Sequence, residues 1–530
     1  MTEREPSTWG PLRLPLFRAL WLAAVASNVG TWMHNVGGEW LMTTLAPTPL
    51  VVALMQTAET APTFLLALPA GALADIVDRR RLLLFSQAWM LVAAVALAAS
   101  TLAGVVTPAV LLLLTFALGL GAAMNAPAWQ AIVPELVPRG ELAAAVSLNS
   151  VAFNIARAVG PALGGLVVAA LGSWAVFLLN SFSFVGVILV LYRWRRERVA
   201  SVSPTERVAG AMRAGLRYAR HAPELKSVLV RTGVFALCAS ALWAMMPLVA
   251  RTELRLGAFQ YGVLLGCLGA GAVAGVFALA WARRNVSTNL LVVAGTVVFA
   301  GATAALGYLT SYALLCAALL AGGVAWMTTM SSLNISVQTV VPEWVRARAL
   351  ALYLLVFFGS LAAGAATWGM VAERAGLAAT LFAAAGAMLA GLVAAPFFPL
   401  RGGEGLDLNP SLHWSEPTFV QEPHPERGPV LVTVEYFIDP ARAGEFARAM
   451  QDVKRILRRD GATRWGLFAD TARPGRYLET FLVESWAEHM RQHARVTNED
   501  RAAQDRARSF HVADAPPAVT HLVAEVDSRQ

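Results

Sequence analysis

Gly71-Ala72-Leu73-Ala74-Asp75-Ile76-Val77-Asp78-Arg79-Arg80-Arg81 joins two long apolar runs, 50–73 and 82–104. Each run is long enough to cross a hydrocarbon core of about 30 Å as a helix. Outward from this point the pattern recurs, with apolar runs near 17–41, 50–73, 82–104, 107–129, 143–171, 174–193, 228–250, 260–282, 288–309, 312–338, 349–372 and 377–399. The 530 residues are 57% hydrophobic and only 14% charged. One soluble core cannot bury so many runs, so an all-α membrane bundle of twelve helices is expected.

Arginine placement sets the orientation. Arg79–Arg81, Arg139, Arg193–Arg198, Arg283–Arg284 and Arg346–Arg348 fall on one side of the alternating runs, and only Arg251, Arg255 and Arg374 on the other. The rich side is read as cytoplasmic, in a cell inner (plasma) membrane, with both termini inside. The net charge of +8 is then a product of topology, and no nucleic-acid partner is expected. The first apolar run lacks a cleavage site and is read as a retained span. Cys238, Cys267 and Cys316 lie in apolar runs without CxxC spacing and indicate neither a disulfide nor a metal site.

The runs divide six and six. Residues 1–193 form the first half, 194–227 a basic cytoplasmic loop with a helical stretch at 208–220, and 228–400 the second half. Gln130-Ala-Ile-Val133-Pro134-Glu135-Leu-Val137 after the fourth run returns as Gln338-Thr-Val-Val341-Pro342-Glu343-Trp-Val345 after the tenth. The same pattern at the same topological position points to duplication of a six-helix unit around a central site. Residues 401–428 read as a linker rich in Gly, Pro and Glu. From 429 to 530 the order is βαββαβ, with strands at 430–438, 465–469, 477–484 and 519–526 and helices at 442–459 and 486–508. That is the ferredoxin-like arrangement.

The opening segment resembles the signature loop of the major facilitator superfamily, with Gly71, Asp75, Arg79 and Arg80 at the motif's positions. The resemblance implies two six-helix halves and a gating loop in which Asp75 faces the other half. Ala156-Arg157-Ala-Val-Gly160-Pro161-Ala-Leu-Gly164-Gly165 resembles the motif of drug/proton antiporters, with Ala156 in place of its first glycine. Pro161 bends the helix and the glycines allow close packing. Such exporters often carry an Arg where this chain has Thr115, so coupling through that Arg is not available here. Ser27-Asn28-Val-Gly30-Thr31-Trp32 and Leu148-Asn149-Ser150-Val-Ala-Phe153-Asn154 resemble the transmembrane secretion effector branch, which is similar to the enterobactin exporter.

Polar residues inside the spans mark the candidate site. Asn28, Asn35 and Glu39 share one helix face, and Glu59 and Arg157 are charges within spans. The resemblance places Asn28, Asn35, Asn125 and Asn334 along the cavity; Asn154 and Gln338 continue stripes in the fifth and tenth spans. A direct or water-mediated pairing of Glu59 with Arg157 offers a proton-coupling route. The glycines 262, 266, 269, 271 and 275 have packing spacing and are followed by no Lys-Ser/Thr, so ATP drive is not expected.

The C-terminal module resembles small dimeric α+β-barrel domains, a group that includes antibiotic-biosynthesis monooxygenases. His489 and His493 are spaced i, i+4, compatible with metal or haem. No third ligand is evident, so they are read as solvated, with no metal and no cofactor. A dimerising or regulatory module is expected. The resulting expectation is a secondary active exporter, proton-coupled, of small amphipathic compounds such as drugs or siderophores, and not an enzyme. The alternatives are an importer of the same fold and a membrane-anchored monooxygenase-like enzyme.

Overall fold

The structure, a computed structural model, describes residues 9–46, 48–194, 208–400, 406–414, 417 and 423–525, with the side chains of 68, 71, 72, 74–76 and 208–214 not included. The chain divides into two compact units. The first comprises 1–203, 229–334 and 353–398; the second comprises 204–228, 335–352 and 399–530.

The first unit is helical. Its helices are α1 (Pro15–Leu45), α2 (Pro49–Ile76), α3 (Arg79–Leu102), α4 (Pro108–Leu136), α5 (Leu142–Leu171) and α6 (Ser173–Arg193). After α7 (Val208–His221) come α8 (Pro223–Leu248), α9 (Ala258–Ala282), α10 (Thr288–Tyr308), α11 (Tyr312–Thr339), α12 (Glu343–Ala375) and α13 (Leu377–Gly391). Eleven helices among the described residues are long and apolar enough to cross a membrane. The twelfth is α1, whose Asn28, His34, Asn35 and Glu39 lower its hydropathy; it packs against α2, α4, α5 and α6.

Local chemistry sets the helix ends. Asp78, Thr107 and Ser287 cap α3, α4 and α10 with side-chain oxygens that accept backbone N–H bonds. Gly172 (φ 93°) and Gly376 (φ 85°) make the turns from α5 to α6 and from α12 to α13. A side chain would strain that backbone, and the same device recurs at the corresponding point of each half. Arg79 donates to Glu135 at 2.8 Å and to the Ala131 carbonyl at 3.1 Å. Arg80 donates to the carbonyls of Leu191 and Tyr192, each at 2.8 Å. These arginines staple the loop before α3 to the carboxyl ends of α4 and α6, where cations are favoured.

Small residues bring the halves together. A Cβ at Gly165 would lie 2.5 Å from the Ala258 carbonyl oxygen, and one at Gly262 would collide with that of Pro161. The α5–α9 backbones thus meet directly. Thr57 on α2 donates to the Ala362 carbonyl on α12 at 2.9 Å. These contacts involve the end of the bundle that carries Ala46 and Gly172.

The second unit holds β1 (Val430–Phe437), α14 (Ala443–Asp460), β2 (Arg464–Ala469), β3 (Arg476–Val483), α15 (Trp486–Arg495), α16 (Asn498–Arg508) and β4 (Ala518–Val523). The sheet is antiparallel in the order β2-β3-β1-β4, as a ferredoxin-like fold requires. The single helix expected over 486–508 is two helices. Thr497 starts the second by forming a capping box with Asp500, which ends the first at Arg495. Part of the expected linker belongs to this unit, since Ser411 N donates to the Val496 carbonyl at 2.9 Å.

The helix α7 and the segment 335–352 pack on this domain. Arg217 pairs with Glu488 at 2.9 Å, and Glu488 also holds Arg495 at 2.6 Å. The Arg495 guanidinium lies 4.4 Å from the Trp344 ring, which meets Tyr218 edge-on.

Candidate functional site

Inside the first unit the polar residues of α1 and α2 come together. Asn35 Nδ2 donates to Glu59 Oε2 at 3.4 Å. One helical turn along α1, Glu39 accepts a hydrogen bond from the Tyr261 hydroxyl on α9. Asn35 and Glu39, one turn apart on α1, thus tie Glu59 of α2 and Tyr261 of α9 to the same stretch of one helix. Trp40 stacks on Tyr261 at 5.7 Å, and Arg251, beyond α8, lies 5.4 Å over Trp40 and donates to Thr43 at 3.2 Å. The halves are therefore joined here by polar and aromatic contacts between α1 and α8–α9. Apart from Arg251, every residue in this group comes from an otherwise apolar helix, where an unpaired charge is costly.

Arg157 occupies a second position. Its guanidinium carbon lies 5.9 Å from the ring of Trp32 on α1 and 5.9 Å from that of Trp243 on α8. Its Nε is buried without a hydrogen-bond partner among the described residues. Trp243 continues into an aromatic group with Trp326, Phe357, Phe235 and Phe299. No direct Glu59–Arg157 ion pair is found among the described residues of this conformation: Glu59 is held by Asn35, and Arg157 lies against two indoles.

The other sequence candidates spread out. Asn125 Oδ1 accepts from Gln87 at 3.1 Å and Ser86 at 3.4 Å, so it bonds α4 to α3. Asn154 turns back to the Ser150 carbonyl of its own helix at 2.8 Å. Asn28 and Asn334 are half-buried, and Gln338 is exposed in the second unit. Gly160 and Gly164 press on α1: added Cβ atoms would lie 2.6 Å from Trp32 Cβ and 2.7 Å from Met33 Cα. Pro161 is buried inside α5. Thr115 is buried within α4. Gly71 and Asp75 lie in α2, but their side chains are outside the described residues. The sequence marks Glu39 only as part of a stripe and Trp32 only within a family-like stretch, and it gives no sign of Tyr261 or Trp243. Each looks like ordinary apolar filling until the helices are packed.

The second unit contains a separate cavity of 380 Å³, lined by residues that include Trp414, Tyr436, Glu479, His489, His493 and His521. Here the expectation of solvated histidines is corrected. His489 is only 1% exposed, and the ligand-capable nitrogens of the three imidazoles lie within 4.8 Å of one another. Burial first, and the neighbouring imidazoles next, push His489 down to about 4; burial and His521 do the same for His493. Glu479, buried between Tyr436 (3.1 Å) and Trp465 (2.8 Å), is pushed above the usual carboxylate range by that burial.

Comparison with known proteins follows this architecture. The family described as transmembrane secretion effector matches residues 6–530. The chain is 27% identical over 407 residues to the multidrug efflux pump Tap of Mycolicibacterium fortuitum, taking in 74% of this chain and 96% of that one. It is 25% identical over 341 residues to the enterobactin exporter EntS of Salmonella choleraesuis, covering 62% of this chain and 79% of the exporter. Among solved structures, a bacterial homologue of the iron transporter ferroportin superposes with a TM-score of 0.58 at 17% identity, over 73% of this chain and 99% of that one. A D-xylose–proton symporter gives 0.58 at 14% identity, over 74% and 99%. The likeness to the solved structures carries the fold alone; with the family match over nearly the whole length, this chain belongs to the transmembrane secretion effector family of major facilitator transporters.

Proposed function

We propose that the chain is a proton-coupled exporter of small amphipathic compounds, of the drug or siderophore kind. The observation that carries this reading is the polar group Asn35–Glu59 with Glu39–Tyr261, set between the halves of an apolar bundle. Two negative charges so placed repel each other and are poorly solvated. Such a pair takes up a proton and releases it as the cavity opens to alternate sides. Coupling then needs no Arg at Thr115. Arg157, flanked by Trp32 and Trp243, offers a cation and two flat aromatic faces to an amphipathic substrate. The multidrug pump and the enterobactin exporter among the relatives support the outward direction.

With the arginine-rich ends in the cytoplasm of a cell inner membrane, and both termini inside, the closed end of the bundle is the outer one. This conformation is then inward-facing, and Asp75 serves as the lock when the inner side closes. The C-terminal domain is a regulatory and dimerising module, packed on the connector α7 and on the segment that leads into α12. A tether for an enzyme would need none of the intramembrane polar group.

The test uses purified chain in proteoliposomes with an imposed pH gradient and a fluorescent amphipathic dye. Gradient-driven flux is expected for the parent. It should be absent for Glu59→Gln, with dye binding retained. Flux in Glu59→Gln that still follows the gradient would sink the coupling role.

A further inference from the structure

We propose that His489, His493 and His521 form a site for a divalent transition-metal ion of borderline softness, with an open coordination position facing the cavity of the C-terminal domain. The i, i+4 spacing on α15 puts His489 and His493 on one helix face. The β4 register pairs His521 with Val432, on the sheet face that α15 covers. The three rings meet there, with centroids 5.0 Å apart for His489–His493 and 4.8 Å for His489–His521.

The nitrogens are disposed to ligate. Nε2 of His489 and of His493 is buried with no hydrogen-bond partner among the described residues. Burying such atoms without a partner is costly, and a cation removes the cost. Gln492 Oε1 stands 3.4 Å from His489 Nδ1; with the proton on Nδ1, it fixes the ring so that the Nε2 lone pair faces the cluster. Atoms no more than 4.8 Å apart all lie within about 2.8 Å of a common centre, against about 2.1 Å in a closed zinc site. Rotamer adjustments well under 1 Å per ring would close the difference, on the order expected when a metal enters.

The donor set selects the ion. Three imidazoles and no carboxylate suit Zn²⁺, Ni²⁺, Cu²⁺ or Fe²⁺ and disfavour Ca²⁺ and Mg²⁺, which take oxygen ligands. Glu479 is already engaged by Tyr436 and Trp465, so the fourth position opens on the cavity. Three protein ligands with an open position is the pattern of metal sites that bind water or an exchangeable ligand, in contrast to closed structural sites.

The test is Zn²⁺ titration by calorimetry of the full chain, purified without a polyhistidine tag and freed of metal by chelation. Co²⁺ absorption reports the coordination geometry. One ion per chain is expected, with a tetrahedral Co²⁺ spectrum and a raised melting temperature on Zn²⁺ addition. His521→Gln and His493→Gln should each weaken binding at least 100-fold, while His424→Ala leaves it unchanged. Melting in chelator separates variants that fold from those that do not. Absence of saturable binding by the parent, or undiminished binding by a folded His521→Gln or His493→Gln chain, overturns the site.

Discussion

The hydroxyl of Tyr261, in the second half of the membrane unit, donates a hydrogen bond to the carboxylate of Glu39, in the first. The bond spans the two halves, so it must break whenever this end of the bundle opens. A hydrogen bond to a charged group contributes about 1.5–3 kcal/mol, which corresponds to roughly a ten- to hundredfold bias between two conformations. Tyr261→Phe is therefore expected to raise the population open at this end by that factor. Spin-label distances between Thr44 and Leu254, in a background lacking the three native cysteines, measure it. An unchanged distance distribution would remove the bond from the gate.

Arg157 is expected to act through its flat guanidinium. Arg157→Lys keeps the charge but loses stacking against Trp32 and Trp243. Cation–π contacts contribute about 0.5–2 kcal/mol, so Arg157→Lys should weaken dye binding several-fold to tenfold or more, and Trp243→Leu by a similar factor. Because Glu59 and Arg157 hold different partners in this conformation, Arg157→Ala and Glu59→Gln should have nearly additive effects on stability. Strong coupling in that double-mutant cycle would mean that the two side chains meet in another state of the cycle.

What was legible in the sequence follows from the range of each signal. Long apolar runs are read within a window of residues, and the helices fall where those runs lie; the structure adds that Pro15, Pro49 and Pro108 open three of them. The glycines at 160, 164 and 165 announced close packing, but not that Gly164 meets Met33 while Gly165 meets Ala258. The polar stripe of α1 was visible; its partner Tyr261 was not, since a tyrosine in an apolar helix has no distinguishing spacing. His521 escaped for the same reason. It lies 28 residues beyond His493 on a strand, and only the sheet register returns it to α15. The break at Thr497 is announced locally by its Thr-x-x-Asp cap, which competes with the helical periodicity of 486–508.

Arg459 should prove the most sensitive ion-pairing residue of the second unit. It lies between Asp460 (2.9 Å) and Asp500 (2.6 Å) and under the Tyr218 ring, so one guanidinium links α14, α16 and α7. Removing one partner from a buried pair costs about 3–5 kcal/mol because the other charge is left unpaired. Arg459→Met is expected to lower the melting temperature of the C-terminal domain and to free α7 for protease cleavage. Arg442→Met, at an exposed i, i+3 pair with Glu445, should do neither. Equal effects of the two substitutions would deny Arg459 its linking role.

The sheet face opposite the helices carries the last prediction. Alternation along the strands sends Val430, Val432 and Tyr436 of β1 toward α14–α16, where they are buried. Leu431, Leu478, Leu482 and Leu522 fall on the opposite face with Phe468; Leu522 is 51% and Phe468 59% exposed. Exposed apolar side chains grouped on one sheet face, here interspersed with Thr433, Thr480 and Thr520, mark an interaction surface. A second copy of the same sheet is the partner that would complete an α+β barrel, and a two-fold pairing buries identical patches against each other. Leu522→Glu combined with Leu482→Glu places like charges across that pairing and should reduce cross-linked dimer several-fold in detergent and in membranes. Flux per molecule should stay within about twofold of the parent, because the substitutions lie outside the membrane unit and surface changes of this kind leave a fold nearly unperturbed. Cross-linking at the parent level would show that the sheet face is not where two copies meet.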